Sequence, residues 1–238
     1  HMLKKLFLGL SGTCLLLACS SVKTPSTNLI PSEGFNSIWE GAVESYKVED
    51  GIMYAKQGSS YQDLLYSKKD YENFELNFKF RFTDEKRKHG ANNGIGIRAP
   101  REGDSTFTNY KKAQPAHTSI EVQILEDRHP SYAKLGKMSK NGSFYQIQPA
   151  SGDNLKYDGQ WNEETIIADG STLKIILNGE VINEVDLLKA EAKKGYALGR
   201  HRLLGRLVIC GHGPGVQFKD ITIKELPSSV KVPTTDDN

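Results

Sequence analysis

The segment Phe74–Phe82 constrains the fold of this chain more than any other part of its sequence. Its residues, FELNFKFRF, alternate apolar and polar side chains without a break. Because successive side chains of a β-strand point to opposite faces of the sheet, one face of this segment is apolar and the other is polar. The segment therefore predicts a long strand whose apolar face needs a second layer to cover it.

Other segments repeat this pattern. Leu173–Leu177 and Val181–Val185 flank Asn178-Gly179, a pair that readily adopts the positive φ angles of a tight hairpin. Gln217–Leu226 alternates again and is followed by a proline. Many short strands separated by turn signals predict an all-β protein, a sandwich of two antiparallel sheets.

The amino-terminal segment predicts export and lipidation. His1 precedes the start methionine and is interpreted as a cloning remnant. Two lysines then precede the apolar stretch Leu6–Leu17, and Leu16–Cys19 has the sequence LLAC of a bacterial lipobox. The stretch is shorter than the roughly 20 residues that a membrane-spanning helix needs. We therefore expect removal of residues 1–18 as a signal peptide and acylation of Cys19.

The composition of the remaining chain predicts its domain organisation, and the lipobox predicts its location. Residues 19–33 are rich in Ser, Thr and Pro and are interpreted as a flexible tether. Residues 34–227 would form one β-sandwich domain, followed by a polar tail over 228–238. The domain is expected to be lipid-anchored to a bacterial membrane and to face the periplasm or the cell surface.

Charge and cysteine content narrow the set of partners. The net charge is +2 and the charged residues are dispersed, so neither nucleic acid nor an anionic surface is an implied partner. Membrane contact would occur through the lipid anchor only. Cys14 leaves with the signal and Cys19 carries lipid, so Cys210 has no partner for a disulfide. It follows an apolar run and is predicted to be a buried packing residue.

Two neighbouring segments predict a polar groove. In Thr118–Asp127, Glu121 and Gln123 share one face of the predicted strand while aliphatic residues fill the other. In Asn92–Arg98, two glycines and Arg98 lie opposite two isoleucines. Glycine within a strand often marks a close approach of a ligand or another backbone. A carboxylate, an amide and a guanidinium are thus predicted to border a groove with a bare floor.

Several short motifs rich in glycine, aromatic and polar residues are spread along the domain between Trp39 and Leu226. They are Tyr71–Leu76, Asn93–Arg98, Glu121–Leu125, Gly142–Tyr145, Gly159–Asn162, Leu177–Gly179, Gly211–Gly213 and Gln217–Ile221. Taken in this order, they resemble the motifs of the 3-keto-disaccharide (3-keto-glycoside) hydrolase family. The resemblance implies a concanavalin-like jelly-roll β-sandwich and an exported enzyme that hydrolyses glycosidic bonds of 3-keto sugars.

The resemblance also implies a reaction. A ketone at C3 acidifies the C2 proton, so a base can remove it while an acid protonates the glycosidic oxygen, and water then adds to the enone. Glu121 and His212 are the expected acid/base pair, and Arg98 is expected to polarise the ketone. Arg98 could equally form an ion pair with Glu121. As single residues, Glu121 also fits a solvated strand carboxylate and His212 a structural histidine.

The same resemblance implies the substrate contacts. Gln123, Asn93 and Tyr145 would orient sugar hydroxyls, while Trp161 either stacks on a sugar ring or fills the core. Glu126 stands where the family usually has aspartate, and Asp127 follows it. Cys210 replaces a glutamine of the family pattern, which removes one polar contact of the pocket.

Two alternatives remain open at this level. Jelly-roll sandwiches also serve as lectins, so the chain could be a non-catalytic carbohydrate-binding lipoprotein. No cofactor is implied, although a divalent metal could bind Glu121, Glu126, Asp127 and His212. In either alternative the expected ligand is an oligosaccharide or glycoside.

Lipidation of Cys19 is directly testable. Because the lipobox directs acylation to this thiol, radiolabelled palmitate is expected to enter the wild-type protein and not the Cys19→Ala variant when both are expressed in a bacterial host. Equal labelling of the two proteins contradicts the prediction.

Overall fold

The computed structural model describes residues 24–83, 89–104 and 114–227 as two antiparallel sheets packed face to face. The described strands are β1 Thr27–Asn28, β2 Trp39–Gly41, β3 Tyr46–Glu49, β4 Ile52–Ala55, β5 Leu65–Tyr71, β6 Phe74–Phe82, β7 Asn92–Ala99, β8 Ile120–Leu125, β9 Asn162–Asp169, β10 Thr172–Leu177, β11 Glu180–Asp186, β12 Gly205–Ile209 and β13 Val216–Glu225. Short α-helices are α1 Phe35–Ile38 and α2 Pro115–Thr118, and 3₁₀ turns are Val43–Ser45, Pro130–Tyr132 and Lys137–Ser139.

The sheets differ in size. The eight-stranded sheet has the order β11-β10-β9-β6-β13-β4-β3, with β1 also paired to β13. The five-stranded sheet has the order β2-β5-β12-β7-β8. The prediction of an all-β sandwich of two antiparallel sheets is confirmed. Within the described residues, no helix is long and apolar enough to cross a membrane.

The alternating segment forms β6, in the middle of the larger sheet between β9 and β13. Its five apolar side chains are buried, from Phe74 to Phe82. On the opposing sheet, Ile95 and Ile97 of β7 and Val122 and Ile124 of β8 face the same core. Since burying one such side chain contributes about 1.5–3 kcal/mol, this interleaved layer supplies the main driving force for the sandwich.

The predicted hairpin is also confirmed. β10 and β11 pair around Asn178 and Gly179, whose φ angles are 49° and 86°. Both central residues therefore adopt the left-handed conformation that a tight two-residue hairpin turn requires.

The predicted tether is wrong over its second half. Thr27 and Asn28 pair with β13, and the next two residues, Leu29 and Ile30, are buried. The indole Nε1 of Trp39 donates a hydrogen bond of 2.7 Å to the carbonyl of Leu29. Two apolar residues in a polar stretch are thus enough to fix it to the sheet. Cys19, the rest of the signal and the tail over 228–238 lie outside the described residues.

One carboxyl group lies inside the core. Glu164 is fully buried on the inner face of β9, in register with Phe78 and Leu177 on the adjacent strands. Neither carboxyl oxygen has a hydrogen-bond partner within the described residues. Burial raises the pKa of Glu164 to about 8, so the side chain is mainly neutral at neutral pH.

Glu164 is therefore expected to make stability depend on pH. Its pKa is higher in the folded chain than in the unfolded one, so the free energy of unfolding falls as pH rises from about 4.5 through about 8. Glu164→Gln removes this titration, and the fall measured by denaturant unfolding should shrink by on the order of a few kcal/mol. Other buried carboxyl groups titrate in both proteins and cancel. Identical pH dependence of the two proteins contradicts the account.

Candidate functional site

A cavity of about 220 Å³ opens on the face of the five-stranded sheet that points away from the core. β7, β8 and the segment after β12 form its floor, and α2 and loops form its walls. The lining residues are Tyr61, Asn92, Gln114, Pro115, Ala116, His117, Glu121, Gln123, Tyr145, Tyr196, Cys210 and His212. Four residues predicted for the site, Glu121, Gln123, Tyr145 and His212, are thus brought together.

Glycines of β7 make room for the polar side chains of β8. Gly94 lies opposite Gln123 and Gly96 opposite Glu121 in the strand register. A Cβ atom at Gly94 would overlap the carboxyl oxygen of Glu121, so this carboxyl group lies directly over the glycine. A Cβ atom at Gly96 would collide with Val208 of the next strand. The groove has the bare floor that the sequence predicts.

Glu121 is the buried acid of the cavity. Only 6% of its surface is exposed, and its carboxyl group reaches over Gly94 and accepts a hydrogen bond from the thiol of Cys210. The amide of Cys210 in turn donates a hydrogen bond of 2.9 Å to the carbonyl of Gly94. Burial raises the pKa of Glu121 to about 7, although the hydrogen bond from Cys210 acts in the opposite direction. Near neutral pH the group can therefore both donate and accept a proton.

Cys210 is buried, as predicted, but it belongs to the floor of the cavity and not to the core. Val208, two residues earlier, is also on the cavity side of β12, whereas Leu207 and Ile209 pack in the core. Burial and the neighbouring Glu121 raise the pKa of the thiol well above its ordinary value. The thiol stays protonated and serves as a hydrogen-bond donor.

His212 reaches the cavity through a strained backbone. Its φ angle is 116°, far from the values that residues with a side chain normally adopt. Its amide donates to the carbonyl of Ser60 at 3.2 Å, and a Cβ atom at Gly211 would overlap that same carbonyl. Strain of this kind clusters at functional sites. The side chain remains accessible from the cavity, and partial desolvation lowers its pKa, so the ring is neutral at neutral pH.

An aromatic wall closes one side of the cavity. The rings of His117 and Tyr196 stack at 4.6 Å with an interplanar angle of 26°, and Tyr145 contacts Tyr196 edge-on at 5.9 Å. The Nδ1 atom of His117 lies 2.8 Å from the carbonyl oxygen of Gly195. Sequence reasoning missed His117, Tyr196 and Tyr61, because no periodic pattern marks the short helix α2 or the loops that carry the two tyrosines.

Asn92 lines the cavity, and its neighbour Asn93 does not. Asn93 is buried, is absent from the cavity lining, and its side chain accepts a hydrogen bond of 2.7 Å from the amide of Gly94. Asn92 lines the cavity, and its Oδ1 atom is buried without a hydrogen-bond partner within the described residues. Since Ile95 and Ile97 face the core, alternation along β7 already places Asn93 with them. Gln123 lines the cavity and donates to the carbonyl of Ser139 at 3.3 Å.

The prediction that Arg98 borders the groove is wrong. Its φ angle of 55° interrupts the alternation of β7, and its side chain is fully buried outside the cavity. Nη2 donates to the carbonyls of Gly170 at 2.6 Å and of Glu72 at 3.3 Å, so Arg98 joins two turns of the sandwich. Burial lowers its pKa to about 10. The alternative ion pair with Glu121 is absent as well.

Glu126 and Asp127 also lie outside the cavity. Glu126 accepts a hydrogen bond of 2.8 Å from the amide of Ala91. Asp127 accepts from the amide of Asn141 at 3.0 and 3.2 Å and lines a separate cleft of about 50 Å³. Glu121, Glu126, Asp127 and His212 thus do not form the hypothesised metal site. Among the described residues, no group of three or more His, Cys, Asp or Glu is arranged to hold a metal ion.

Trp161 lies neither in the core nor in the cavity. Arg81 and Lys219 lie over its ring at 4.5 and 4.3 Å, in cation–π contacts. Arg81 alternates with the buried phenylalanines of β6 and therefore points away from the core. Trp161 lies on the outer face of the larger sheet, on the opposite side of the molecule from the cavity.

Comparisons with known proteins agree with the fold and the carbohydrate-related motifs. A family profile described as a 3-keto-alpha-glucoside-1,2-lyase-like domain matches residues 26–224. A 3-keto-disaccharide hydrolase from Bacteroides thetaiotaomicron is 28% identical over 186 residues, which cover 69% of this chain and 62% of the relative. The chain therefore matches less than two thirds of that relative's length.

Solved structures show the same architecture. One, described as a "putative glycosyl hydrolase" from Parabacteroides distasonis, has a TM-score of 0.69 and 22% identity, and the match covers 85% of this chain and 100% of the other. A Bacillus subtilis protein with a galectin-like fold has a TM-score of 0.51 and 11% identity, covering 84% and 94% of the two chains. These likenesses confirm the predicted concanavalin-like jelly-roll sandwich.

The contact between Cys210 and Glu121 predicts the effect of two substitutions. Cys210→Ala removes the donor to the carboxylate and should raise the pKa of Glu121 further, as measured by carbon-13 NMR titration of its carboxyl group. Cys210→Ser keeps a donor and should shift the midpoint less. The alanine variant should also lose about 1 kcal/mol of stability through the void it leaves. An unchanged midpoint in Cys210→Ala contradicts the contact.

Proposed function

Because this chain belongs to the family of 3-keto-alpha-glucoside-1,2-lyase-like domains, we propose that it cleaves the glycosidic bond of 3-keto-glycosides or 3-keto-disaccharides. One observation carries the proposal: a buried carboxyl group with a raised pKa shares a cavity with two imidazoles. Groups of this kind, in a cleft and with a stated cause for their shift, are typical of catalytic sites.

The chemistry begins at the ketone. The C3 carbonyl acidifies the hydrogen on C2, so a base can remove this proton and leave an enolate. The C1–oxygen bond then breaks, an acid protonates the departing oxygen, and an enone remains. Water adds its hydroxyl to C1 and a proton returns to C2, which completes a net hydrolysis.

Glu121 is suited to act as the general acid that protonates the leaving oxygen. A general acid works best when its pKa lies near the working pH, and burial raises the pKa of Glu121 to about 7. A strand carboxylate exposed to water would be ionised at neutral pH and could not donate. The glycine beneath it lets the carboxyl group lie against the floor, where a sugar ring can approach it from above.

An imidazole is suited to act as the general base that removes the C2 proton, and both His117 and His212 line the cavity. The ring of His212 is neutral at neutral pH and can accept or donate a hydrogen bond. With Arg98 buried elsewhere, the enolate oxygen needs another donor, and His212 and the amide of Gln123 are available on the cavity wall and floor.

The remaining lining suits a sugar. Tyr61, Tyr145 and Tyr196 supply aromatic surface, and sugar rings expose C–H groups that pack against such surfaces. Asn92 presents a buried Oδ1 atom without a partner among the described residues, which can accept a hydrogen bond from a substrate hydroxyl. A polar and aromatic lining of this kind binds and orients a glycoside.

A lectin-like binder is the chief rival. Such a module needs aromatic surface and neutral hydrogen-bonding groups, and this cavity has both. A binding module does not need a buried carboxylic acid, and removing an ionisable group from water costs free energy of folding. The burial of Glu121 in a cavity that two imidazoles also line therefore favours the enzyme over the binder.

The sequence upstream of the domain supports a location. The lipobox ending at Cys19 supports anchoring of the domain to a bacterial membrane, facing the periplasm or the cell surface. Substrates would then meet the enzyme outside the cytoplasm.

The activity is tested with 3-keto-glycosides and their unoxidised parents. The wild-type protein should cleave only the keto compounds, and in D₂O the product should carry deuterium at C2. On alkyl 3-keto-glycosides, Glu121→Gln should lose about 10²–10⁴-fold in kcat while it remains folded, because the amide cannot protonate the leaving oxygen.

Glu126→Gln is the matched control. Glu126 is a nearby carboxylate of the same segment whose side chain binds the amide of Ala91 outside the cavity, so this variant should keep its activity. Equal cleavage of the unoxidised glycosides shows that the proposed function is wrong. Full activity of Glu121→Gln on alkyl 3-keto-glycosides shows that Glu121 is not the acid.

A further inference from the structure

Resting on the proposed function, we infer that His117 is the base that takes the C2 proton, through its Nε2 atom. The sequence does not single out this residue. It lies on α2, one wall of the cavity, and Glu121 lies on the floor. The base would then lie on α2 and the acid on β8, so removal of the C2 proton and protonation of the leaving oxygen depend on two different elements of the fold.

The hydrogen bond of Nδ1 fixes the tautomer. Nδ1 lies 2.8 Å from the carbonyl oxygen of Gly195, and a carbonyl oxygen only accepts hydrogen bonds. Nδ1 must therefore carry the proton. In the neutral ring, Nε2 then has a free lone pair, which is what a base requires.

The position of the ring is fixed as well. Segment 195–198 runs beside α2: the amide of Ala197 donates to the carbonyl of Ala116 at 2.9 Å, and that of Leu198 to the carbonyl of His117 at 2.8 Å. Tyr196 covers one face of the imidazole. With Nδ1 and one face engaged, the ring atoms left to face the cavity include Nε2. A base held in one orientation needs no rearrangement before it reacts.

His212 is the weaker candidate for this step. Within the described residues, no hydrogen bond to Nδ1 or Nε2 fixes its ring or its tautomer. Desolvation also lowers its pKa, which makes it a poorer proton acceptor but keeps it a neutral donor. That suits a hydrogen bond to the ketone oxygen better than removal of a carbon-bound proton.

The proton balance closes with water as the second reactant. His117 takes the C2 proton, and the electron pair of the C2–H bond forms the C2–C3 double bond of an enolate, with the negative charge on the C3 oxygen. When the enolate collapses, the ketone re-forms, this pair forms the C1–C2 double bond, and the C1–oxygen bond breaks. Glu121 gives its proton to the leaving oxygen. When water adds, its hydroxyl bonds to C1, its proton restores Glu121, and His117 returns a proton to C2.

Leaving-group dependence separates the base from the acid. A nitrophenyl leaving group departs without protonation, whereas an alkyl alcohol needs an acid. His117→Asn should lose about 10²–10⁴-fold in kcat on nitrophenyl and alkyl 3-keto-glycosides alike. Glu121→Gln should lose activity on the alkyl compound and keep much of it on the nitrophenyl compound.

Two variants serve as controls for position and folding. The amide of asparagine can donate to the carbonyl of Gly195 from nearly the place of Nδ1, so His117→Asn keeps this contact and removes only Nε2. His117→Gln, which keeps the side-chain length, is the second variant. Thermal unfolding of both is compared with the wild type. His212→Asn is the matched substitution at the other imidazole.

The deciding readout is deuterium exchange at C2 in D₂O. The His117 variants should lose exchange into recovered substrate. His212→Asn should slow exchange without abolishing it, because the asparagine amide can still donate to the ketone oxygen, and Glu126→Gln, which lies outside the cavity, should exchange at the wild-type rate. Retained exchange in a folded His117 variant, or its loss in His212→Asn alone, overturns the inference. Failure of the proposed function gives a different result, because the wild-type protein itself would then neither exchange C2 nor cleave.

Discussion

The arrangement of the cavity depends on one contact, in which the carboxyl group of Glu121 lies over Gly94 and meets the thiol of Cys210. Three neighbouring strands or strand extensions contribute one residue each. The position of the carboxyl group is therefore set by strand pairing and not by a loop. Burial at this place raises its pKa to about 7, and the thiol limits that rise. A methyl group on the glycine would displace the carboxyl group, so the glycine is part of the site's chemistry.

The sandwich makes this arrangement possible because the two faces of the smaller sheet have different roles. One face packs in the core, and the other carries the cavity. On the inner face of β8, Val122 and Ile124 pack against the larger sheet and hold the strand rigid. Its outer face carries Glu121 and Gln123 with no sheet above them. The cavity is then completed by α2 and by segment 195–198, which hydrogen-bond to each other along their backbones. A rigid floor carries the acid, and a wall built by long-range contacts carries the imidazole.

Sequence patterns predict the structure correctly where side chains alternate regularly between the two faces of a strand. They predict β6, the Asn178–Gly179 hairpin and the shared face of Glu121 and Gln123, because each depends on neighbours in the chain. They fail at Arg98, where a positive φ angle turns the side chain away from the expected face. Alternation with Ile95 places Asn93 toward the core, so Asn92 and not Asn93 lines the cavity.

Other parts of the site depend on contacts between distant segments. His117 enters the cavity wall only because segment 195–198 lies beside α2, and no local pattern encodes that approach. Trp161 was expected in the core or on a sugar because it is aromatic, yet two cations hold it on the outer face of the larger sheet. The thiol of Cys210 follows an apolar run and so resembled a core residue, but it lies on the cavity face. The positions of these three side chains are determined by tertiary packing and not by the local sequence.

The most direct test of the central claim, that this cavity holds a glycoside between an acid and a base, is a crystal structure of Glu121→Gln with a bound alkyl 3-keto-glycoside. The account predicts the sugar on the glycine floor, with its glycosidic oxygen within hydrogen-bonding distance of the side chain at position 121. C2 should face Nε2 of His117, and the ketone oxygen should face His212 or Gln123. A sugar bound on the opposite face beside Trp161, or one in the cavity with C2 turned away from both imidazoles, would contradict the account.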